Sequence, residues 1–178
     1  MNETEYLVWM DLEMTGLSAM RDSIIEIATV ITDADLNTIE IGPEFAIHQE
    51  EEVLEKMNDW CRKHHVLSGL IERVRHSNVT SRMAERETLK FLQKFVPKGK
   101  APLCGNSIHQ DRAFLKCHMP LLEQYLHYRN IDISSIKELA FRWYPHVEKY
   151  RKQGKHTALE DVKESIDELR YYRKHLFV

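Results

Sequence analysis

The sequence lacks several features that define whole classes of protein. Its 178 residues include only 3 cysteines, Cys61, Cys104 and Cys117, and these show no C-x-x-C spacing. An odd number of isolated cysteines predicts reduced thiols, as in a cytoplasmic protein. No apolar run approaches the roughly 20 residues that cross a bilayer, and the acidic start MNETE has no signal-like apolar segment. We therefore expect a cytoplasmic protein with no membrane contact.

An excess of positive charge is also missing. The formal net charge is −3, which argues against a protein that grips long nucleic acid through a basic surface. Any nucleic-acid substrate is therefore expected to be short, or held by a few specific contacts and metal ions. Repeats, low-complexity tracts and linkers are absent, and the composition is 43% hydrophobic and 30% charged. These values predict a single globular domain over residues 1–178.

Apolar runs and helical periodicity predict a mixed α/β domain. Strands are expected at residues 7–10, 24–32, 38–48 and 101–104, the first three as a meander. Helical patterns follow at residues 53–74, broken near Ser68-Gly69, and at 80–95, 108–118, 120–127, 135–143 and 157–175. Ser135 and Glu138 have capping-box spacing, which predicts a helix start at Ser135. Strands followed by helices and further strands indicate a mixed sheet flanked by helices.

Two carboxylates follow the first predicted strand. The stretch YLVWMDLEMTG, residues 6–16, places Asp11 and Glu13 two positions apart after an apolar run. Side chains with this spacing on a strand point to the same face. Adjacent anionic groups at the end of a buried strand are costly unless a cation neutralises them, and oxygen ligands suit Mg²⁺ or Mn²⁺. An isolated D-x-E pair is more simply a surface feature, so the metal-site interpretation depends on the rest of the chain.

Two further acidic residues lie near predicted helix starts. Asp111 follows the fourth predicted strand and a Gly-Asn-Ser turn, and Asp161 comes five residues after His156. Each has a simple alternative: Asp111 favours a helix N-terminus by charge–dipole attraction, His156 is a surface residue, and Asp161 belongs to a solvated helix face. Their combination with the first pair of carboxylates is more informative than any one of them.

Five residues, Asp11, Glu13, Asp111, His156 and Asp161, resemble the motifs of the DEDDh branch of the 3′-to-5′ exonucleases. The surrounding strings are similar to those of the oligoribonuclease family: WMDLEMTGL at 9–17, LCGNSIHQDRAFL at 103–115, HYRNIDISSIKEL at 127–139 and KHTALEDVKESIDELRYYR at 155–173. The resemblance spans essentially the whole chain. It implies a ribonuclease-H-like α/β fold, with a mixed sheet of about five strands flanked by α-helices.

The resemblance also implies a catalytic chemistry. Asp11, Glu13, Asp111 and Asp161 would hold two divalent metal ions, Mg²⁺ or Mn²⁺, which activate the attacking water and stabilise the leaving 3′ oxygen. His156 would act as the general base, since its ordinary pKa near 6.5 suits neutral pH. The expected reaction is hydrolysis of very short RNA, dinucleotides especially, to nucleoside 5′-monophosphates.

Substrate-binding residues follow from the same resemblance. Leu17 and Trp60 are candidates to sandwich unpaired bases, although Trp60 as an ordinary core residue is an equal alternative from sequence alone. The terminal 5′ phosphate would lie among Ser107, Arg129, Ser134 and Ser135, near a helix N-terminus that attracts anions. Simple helix capping is the alternative for the serines. Two further lining residues are expected, His65 and Tyr128.

The family resemblance implies a homodimer in which Tyr128 and Arg129 come from the partner subunit. Three alternatives stay open at the level of sequence. The first is a proofreading-type DEDDh exonuclease acting on single-stranded DNA ends. The second is a nucleic-acid-binding module that keeps the fold but not the catalysis, and the third, weaker alternative is a helix-rich scaffold protein.

Overall fold

A five-stranded mixed sheet forms the centre of the protein in a computed structural model, which describes residues 6–151 and 157–177. The strands are β1 (Leu7–Met14), β2 (Ile24–Thr32), β3 (Thr38–Ala46), β4 (Leu103–Gly105) and β5 (Asn130–Asp132). Their order is β3-β2-β1-β4-β5. The first three strands are antiparallel neighbours, whereas β4 runs parallel to β1 and β5 parallel to β4. The predicted mixed sheet of about five strands is confirmed.

The sequence of each strand reflects its place in the sheet. All nine residues of β2, IIEIATVIT, are buried, because this strand lies between two others and is covered on both faces. The outermost strand β3 is mostly exposed and contains Pro43, which fits an edge position because proline has no N–H to donate to a further strand.

Helices cover both faces of the sheet. They are α1 (Glu51–Glu55), α2 (Asp59–Leu67), α3 (Leu70–His76), α4 (Ser81–Leu92), α5 (Ile108–His118), α6 (Pro120–Glu123), α7 (Ile133–Trp143) and α8 (Ala158–Leu176). The predicted break near Ser68-Gly69 is confirmed, since Gly69 separates α2 from α3 with φ +71°, a left-handed conformation that glycine adopts without strain. Thr80 caps α4 by accepting a hydrogen bond from the N–H of Met83, a role for which threonine is well suited.

The start of α7 differs from its prediction. The helix begins at Ile133, and the Asp132 side chain caps it by accepting a hydrogen bond from the N–H of Ser134. The predicted start at Ser135 is wrong, because a carboxylate three positions earlier already caps the helix. Ser134 and Ser135 therefore lie in the first turn rather than before it.

Alternate residues of β1 face different helices, as expected for a strand. Val8, Met10 and Leu12 belong to the apolar cluster on the side of α4, α5 and α6. Trp9 belongs to the cluster on the opposite side, with residues of α7 and α8. By this alternation Asp11 faces the α8 side. None of the helices in the described part of the chain is both long enough and apolar enough to span a membrane.

Candidate active site

Three carboxylates meet at the end of β1. Oxygen atoms of Asp11, Glu13 and Asp161 all lie within 4.8 Å of one another. The strand places the first two on the face that α8 covers, and the first turns of α8 bring Asp161 to them. Residues more than 140 positions apart thus form one acidic cluster. Such a set of hard oxygen donors fits Mg²⁺ or Mn²⁺.

Asp111 lies in the first turn of α5 and is buried. Its Oδ1 accepts a hydrogen bond of 2.9 Å from the N–H of Leu12, the residue between Asp11 and Glu13. The fourth predicted carboxylate is therefore tied to the same end of β1, although it is outside the cluster of three. This arrangement brings all four predicted metal ligands to one end of the sheet.

Burial and mutual repulsion set the protonation of the site. Burial and, to a smaller extent, the negative charge of Asp161 together raise the pKa of Glu13 to about 8. Burial also raises the pKa of Asp111 to about 7, although its hydrogen bond from Leu12 acts in the opposite direction. Carboxyl groups with raised pKa values indicate a site where a cation would favour the charged forms.

His65 supports Glu13 from α2. Its Nε2 lies 2.9 Å from the carbonyl oxygen of Met14, and its Nδ1 lies 3.8 Å from Oε2 of Glu13. The imidazole is buried. The structure thus places this residue, predicted as a substrate-lining side chain, directly beside a predicted metal ligand.

Leu17 follows β1 and Trp60 lies in α2, and both side chains are exposed. Their side chains are 74% and 65% exposed, so Trp60 is not a core residue. Its ring stacks on His64 at 4.0 Å between centroids. The turn before Leu17 depends on Gly16, because a Cβ there would lie 2.5 Å from Oδ2 of Asp22, an oxygen that accepts a hydrogen bond from Ser18 N–H.

A second polar group forms where β4 and β5 end. Ser107 has φ +50°, and its N–H lies 3.0 Å from both Oδ1 of Asp132 and Oγ of Ser134. The two serine hydroxyls are 3.1 Å apart. Asn106 accepts a hydrogen bond from the Ser134 hydroxyl at 3.1 Å. The structure brings together the predicted phosphate-binding Ser107 and Ser134, and Ser135 lies in the same turn of α7.

Asn106 and Asp132 are polar residues of this group that the sequence interpretation did not single out. Asn106 follows the short strand β4 and Asp132 is the last residue of the short strand β5, and their side chains form hydrogen bonds with residues of other elements. Polar residues at the carboxyl ends of adjacent parallel strands were the available signal.

Tyr128 and Arg129 lie between α6 and β5. The Tyr128 ring is 75% exposed, and the Arg129 guanidinium carbon lies 5.4 Å from its centroid. Arg112 holds this segment from α5: its Nη1 donates to the carbonyl oxygen of Tyr128 at 2.7 Å and its Nη2 to that of His127 at 2.5 Å. His156, the predicted base, lies outside the described residues.

Comparison with known proteins first defines the class. A family model described as exonuclease matches residues 8–169. The fold is similar to that of E. coli exonuclease I in complex with a dT13 oligonucleotide, with a TM-score of 0.74 and 14% identity over 97% of this chain and 41% of that one. Exonuclease I from Methylocaldum szegediense gives a TM-score of 0.73 and 18% identity over 96% and 41% of the two chains. These structures support the ribonuclease-H-like fold alone.

Sequence relatives define the family more narrowly. The chain is 56% identical to an oligoribonuclease of Hydrogenovibrio crunogenus over all of its length and 97% of the relative. It is 55% identical to an oligoribonuclease of Haemophilus influenzae, covering 97% and 96% of the two chains. A Pseudomonas paraeruginosa oligoribonuclease is 56% identical over 98% of each chain. The chain belongs to the oligoribonuclease family of 3′-to-5′ exonucleases and is an enzyme of that class.

Proposed function

We propose that this protein hydrolyses very short RNA, dinucleotides especially, from the 3′ end to nucleoside 5′-monophosphates. The observation that carries the proposal is the meeting of Asp11, Glu13 and Asp161 within 4.8 Å, with Asp111 bonded to the same strand end. The full-length similarity to oligoribonucleases supports the substrate class. Because its products are monomers, the reaction would complete RNA degradation, and we expect it to take place in the cytoplasm.

Asp11, Glu13, Asp111 and Asp161 would hold two divalent cations, Mg²⁺ or Mn²⁺. Bound there, the cations supply the Lewis acidity that activates water and neutralises phosphate charge. They also allow a protein of net charge −3 to bind an anion. His156 takes the proton from the attacking water, which suits an imidazole at neutral pH.

Leu17 and Trp60 would bind the two bases. Both side chains are largely exposed, and an exposed aromatic face with an apolar neighbour is suited to stacking on unpaired nucleotides. Stacking tolerates any base, so this contact would select single-stranded ends rather than a particular sequence.

Serine hydroxyls and an arginine guanidinium would bind the terminal 5′ phosphate. Asp132 already accepts hydrogen bonds from the N–H groups of Ser107 and Ser134. The phosphate contacts would therefore come from the hydroxyls of Ser107, Ser134 and Ser135 and from the guanidinium of Arg129. A phosphate bound at this position leaves no room for a further 5′ nucleotide, which accounts for a preference for dinucleotides.

The proposed active form is a homodimer. Tyr128 and Arg129 lie on an exposed segment held from behind by Arg112. We infer that this segment reaches the active site of the partner subunit. There Arg129 would bind the terminal 5′ phosphate of the substrate and Tyr128 would line the substrate pocket.

A cleavage assay tests the proposal. It compares 5′-phosphorylated RNA of two to seven nucleotides, and DNA of the same lengths, in Mg²⁺ or Mn²⁺, with EDTA as the blank and Asp11→Asn as the inactive control. We expect fast loss of the RNA dimer and slower turnover of longer RNA. Equal rates at every length would contradict the proposed binding of the terminal 5′ phosphate. Faster turnover of the seven-nucleotide DNA than of the RNA dimer would make the protein a proofreading-type exonuclease. No cleavage in either metal would leave a binding module.

A further inference from the structure

A buried carboxylate outside the metal cluster lies next to it. Glu26 is the charged residue in the fully buried strand β2, its side chain is 0% exposed, and it pairs directly with Glu13 in the β1–β2 register. A carboxylate buried beside another carboxylate is strongly unfavourable unless it is paired and hydrogen-bonded. A buried Glu26 is therefore stable only because other groups of the protein bind its carboxylate.

Two different elements bind the two oxygens of Glu26. Oε1 forms a salt bridge with Nη1 of Arg73, which α3 provides. Oε2 accepts a hydrogen bond of 3.0 Å from the N–H of Ala158, the first residue of α8. Thr157, at the N-cap of α8, makes no side-chain capping hydrogen bond. Glu26 of β2 thus caps α8 in place of the Thr157 side chain.

The position of Ala158 determines that of Asp161. Asp161 lies three residues further along α8, and its N–H donates to the carbonyl oxygen of Thr157 at 2.9 Å. Residues three apart on a helix lie on the same side. Fixing the first N–H of α8 against β2 therefore fixes both the rotation and the depth of the turn that presents Asp161.

We propose that Glu26 and Arg73 form an anchor that positions Asp161 for metal binding. Glu26 is a positioning residue here and not a ligand, because both of its oxygens have protein partners and the group of oxygens within 4.8 Å comprises Asp11, Glu13 and Asp161. Arg73 neutralises the charge that Glu26 would otherwise add to the cluster. The inference rests on the proposed metal site.

The same helix offers a matched control. Arg75 lies two residues after Arg73 on α3, and the two side chains are equally exposed, at 40%. Arg75 pairs with Glu51 and Glu72 on the surface. Replacing either arginine by alanine removes the same atoms from the same helix, but only Arg73→Ala affects the anchor.

The experiment measures Mn²⁺ binding by calorimetry, the Mn²⁺-induced rise in unfolding temperature, and kcat and KM for an RNA dinucleotide. The variants are Arg73→Ala, Arg73→Lys, Glu26→Gln, the control Arg75→Ala and the ligand reference Asp161→Asn. We expect Arg73→Ala and Glu26→Gln to weaken Mn²⁺ binding about 10-fold, as is typical when a residue that orients a metal ligand is lost. The amide in Glu26→Gln has one acceptor oxygen, so it cannot accept from both Arg73 and the N–H of Ala158. We expect kcat to fall similarly while KM changes little. Arg73→Lys keeps the charge and should recover most of the affinity, and Arg75→Ala should match the wild type.

Two results would overturn the anchor. Wild-type Mn²⁺ affinity in both Arg73→Ala and Glu26→Gln, with only a lower unfolding temperature, would make the pair purely structural. A loss in Glu26→Gln as large as in Asp161→Asn, with Arg73→Ala unaffected, would make Glu26 a ligand. If Glu26→Gln does not fold, the Mn²⁺ affinities of Arg73→Ala and Arg73→Lys test the anchor: equal affinities would overturn it, and recovery in Arg73→Lys would support it. Absence of Mn²⁺ binding by the wild type would instead overturn the proposed metal site.

Discussion

The N–H of Leu12 donates to Oδ1 of Asp111 at 2.9 Å, joining residues 99 positions apart in the sequence. Strand β4 pairs with β1 only at Val8 and Trp9, so it ends before it reaches Leu12. The carboxylate takes the place of a sheet partner at the point where β1 carries its own two acidic residues. The Asp111 side chain therefore both satisfies a backbone N–H of β1 and lies at the proposed metal site.

This double role predicts different results for two substitutions of Asp111. Asp111→Asn keeps an oxygen that accepts from Leu12, so the free energy of unfolding in EDTA should not fall. Asp111→Ala leaves a buried N–H without a partner and should cost about 1–3 kcal/mol. Both should lower Mg²⁺-dependent turnover by at least about 10- to 100-fold, the typical loss when only a residue that orients a metal ligand is removed, because each loses the charge of a proposed ligand. Urea unfolding and dinucleotide turnover measure the two effects, and an active Asp111→Asn variant would contradict the assignment of Asp111 as a ligand.

The raised pKa of Glu13 predicts that the metal-free protein becomes less stable as the pH increases. With a pKa of about 8 in the folded protein against an ordinary 4.5, the native state binds more protons than the unfolded state between these values. Stability is therefore greatest at the acidic end of this range and declines as the pH rises from about 5 to 8. Unfolding temperatures in EDTA from pH 5 to 9 measure this slope. Glu13→Gln should reduce this slope without abolishing it, because the pKa of Asp111 is also raised, to about 7. An unchanged slope in that variant would show that Glu13 does not cause it.

Trp60→Ala should weaken substrate binding without weakening the fold. Loss of one base–aromatic stack costs about 1–3 kcal/mol, which corresponds to a KM for the RNA dinucleotide about 5- to 150-fold higher. The unfolding temperature should stay close to that of the wild type, since the side chain is 65% exposed. Leu67 lies on the same helix and is also exposed, so Leu67→Ala is the control. Equal effects of the two substitutions on KM would count against stacking by Trp60.

Mixed dimers test whether Arg129 serves the partner subunit. Neither Asp11→Asn nor Arg129→Ala alone should be active. A heterodimer of the two contains one site with an intact metal cluster and an intact partner arginine. Random mixing of equal amounts should therefore restore about a quarter of the wild-type activity. If Arg129 acts within its own subunit, mixing restores none, and sedimentation of each variant shows whether dimers form at all.

Sequence patterns predicted the features that depend on local chemistry. The apolar runs of β1 and β2, the helix break at Gly69 and the shared face of Asp11 and Glu13 all follow from residue type and spacing. Asp161 lies beside Asp11 and Glu13, and its role as a metal ligand stays a prediction.

Features that depend on long-range partners were not predicted. Strand β5 has three residues and forms only because β4 lies beside it, so it carries no periodicity of its own. The cap of α7 was assigned to Ser135 although Asp132 provides it. Glu26 did leave a signal, as a charged residue within a continuous apolar strand, but its partners, Arg73 and Ala158, are 47 and 132 positions away.

The two outer strands of the sheet also determine how copies of this protein can associate. Strand β3 carries Glu40, Pro43 and Glu44 at one border, and β5 offers only three residues at the other. A proline, negative charges and a very short strand all oppose the addition of a further strand from another molecule. Sheet extension, by which exposed edge strands pair with other chains and aggregate, is thus disfavoured at both borders. Association of two copies is left to helical and loop surfaces.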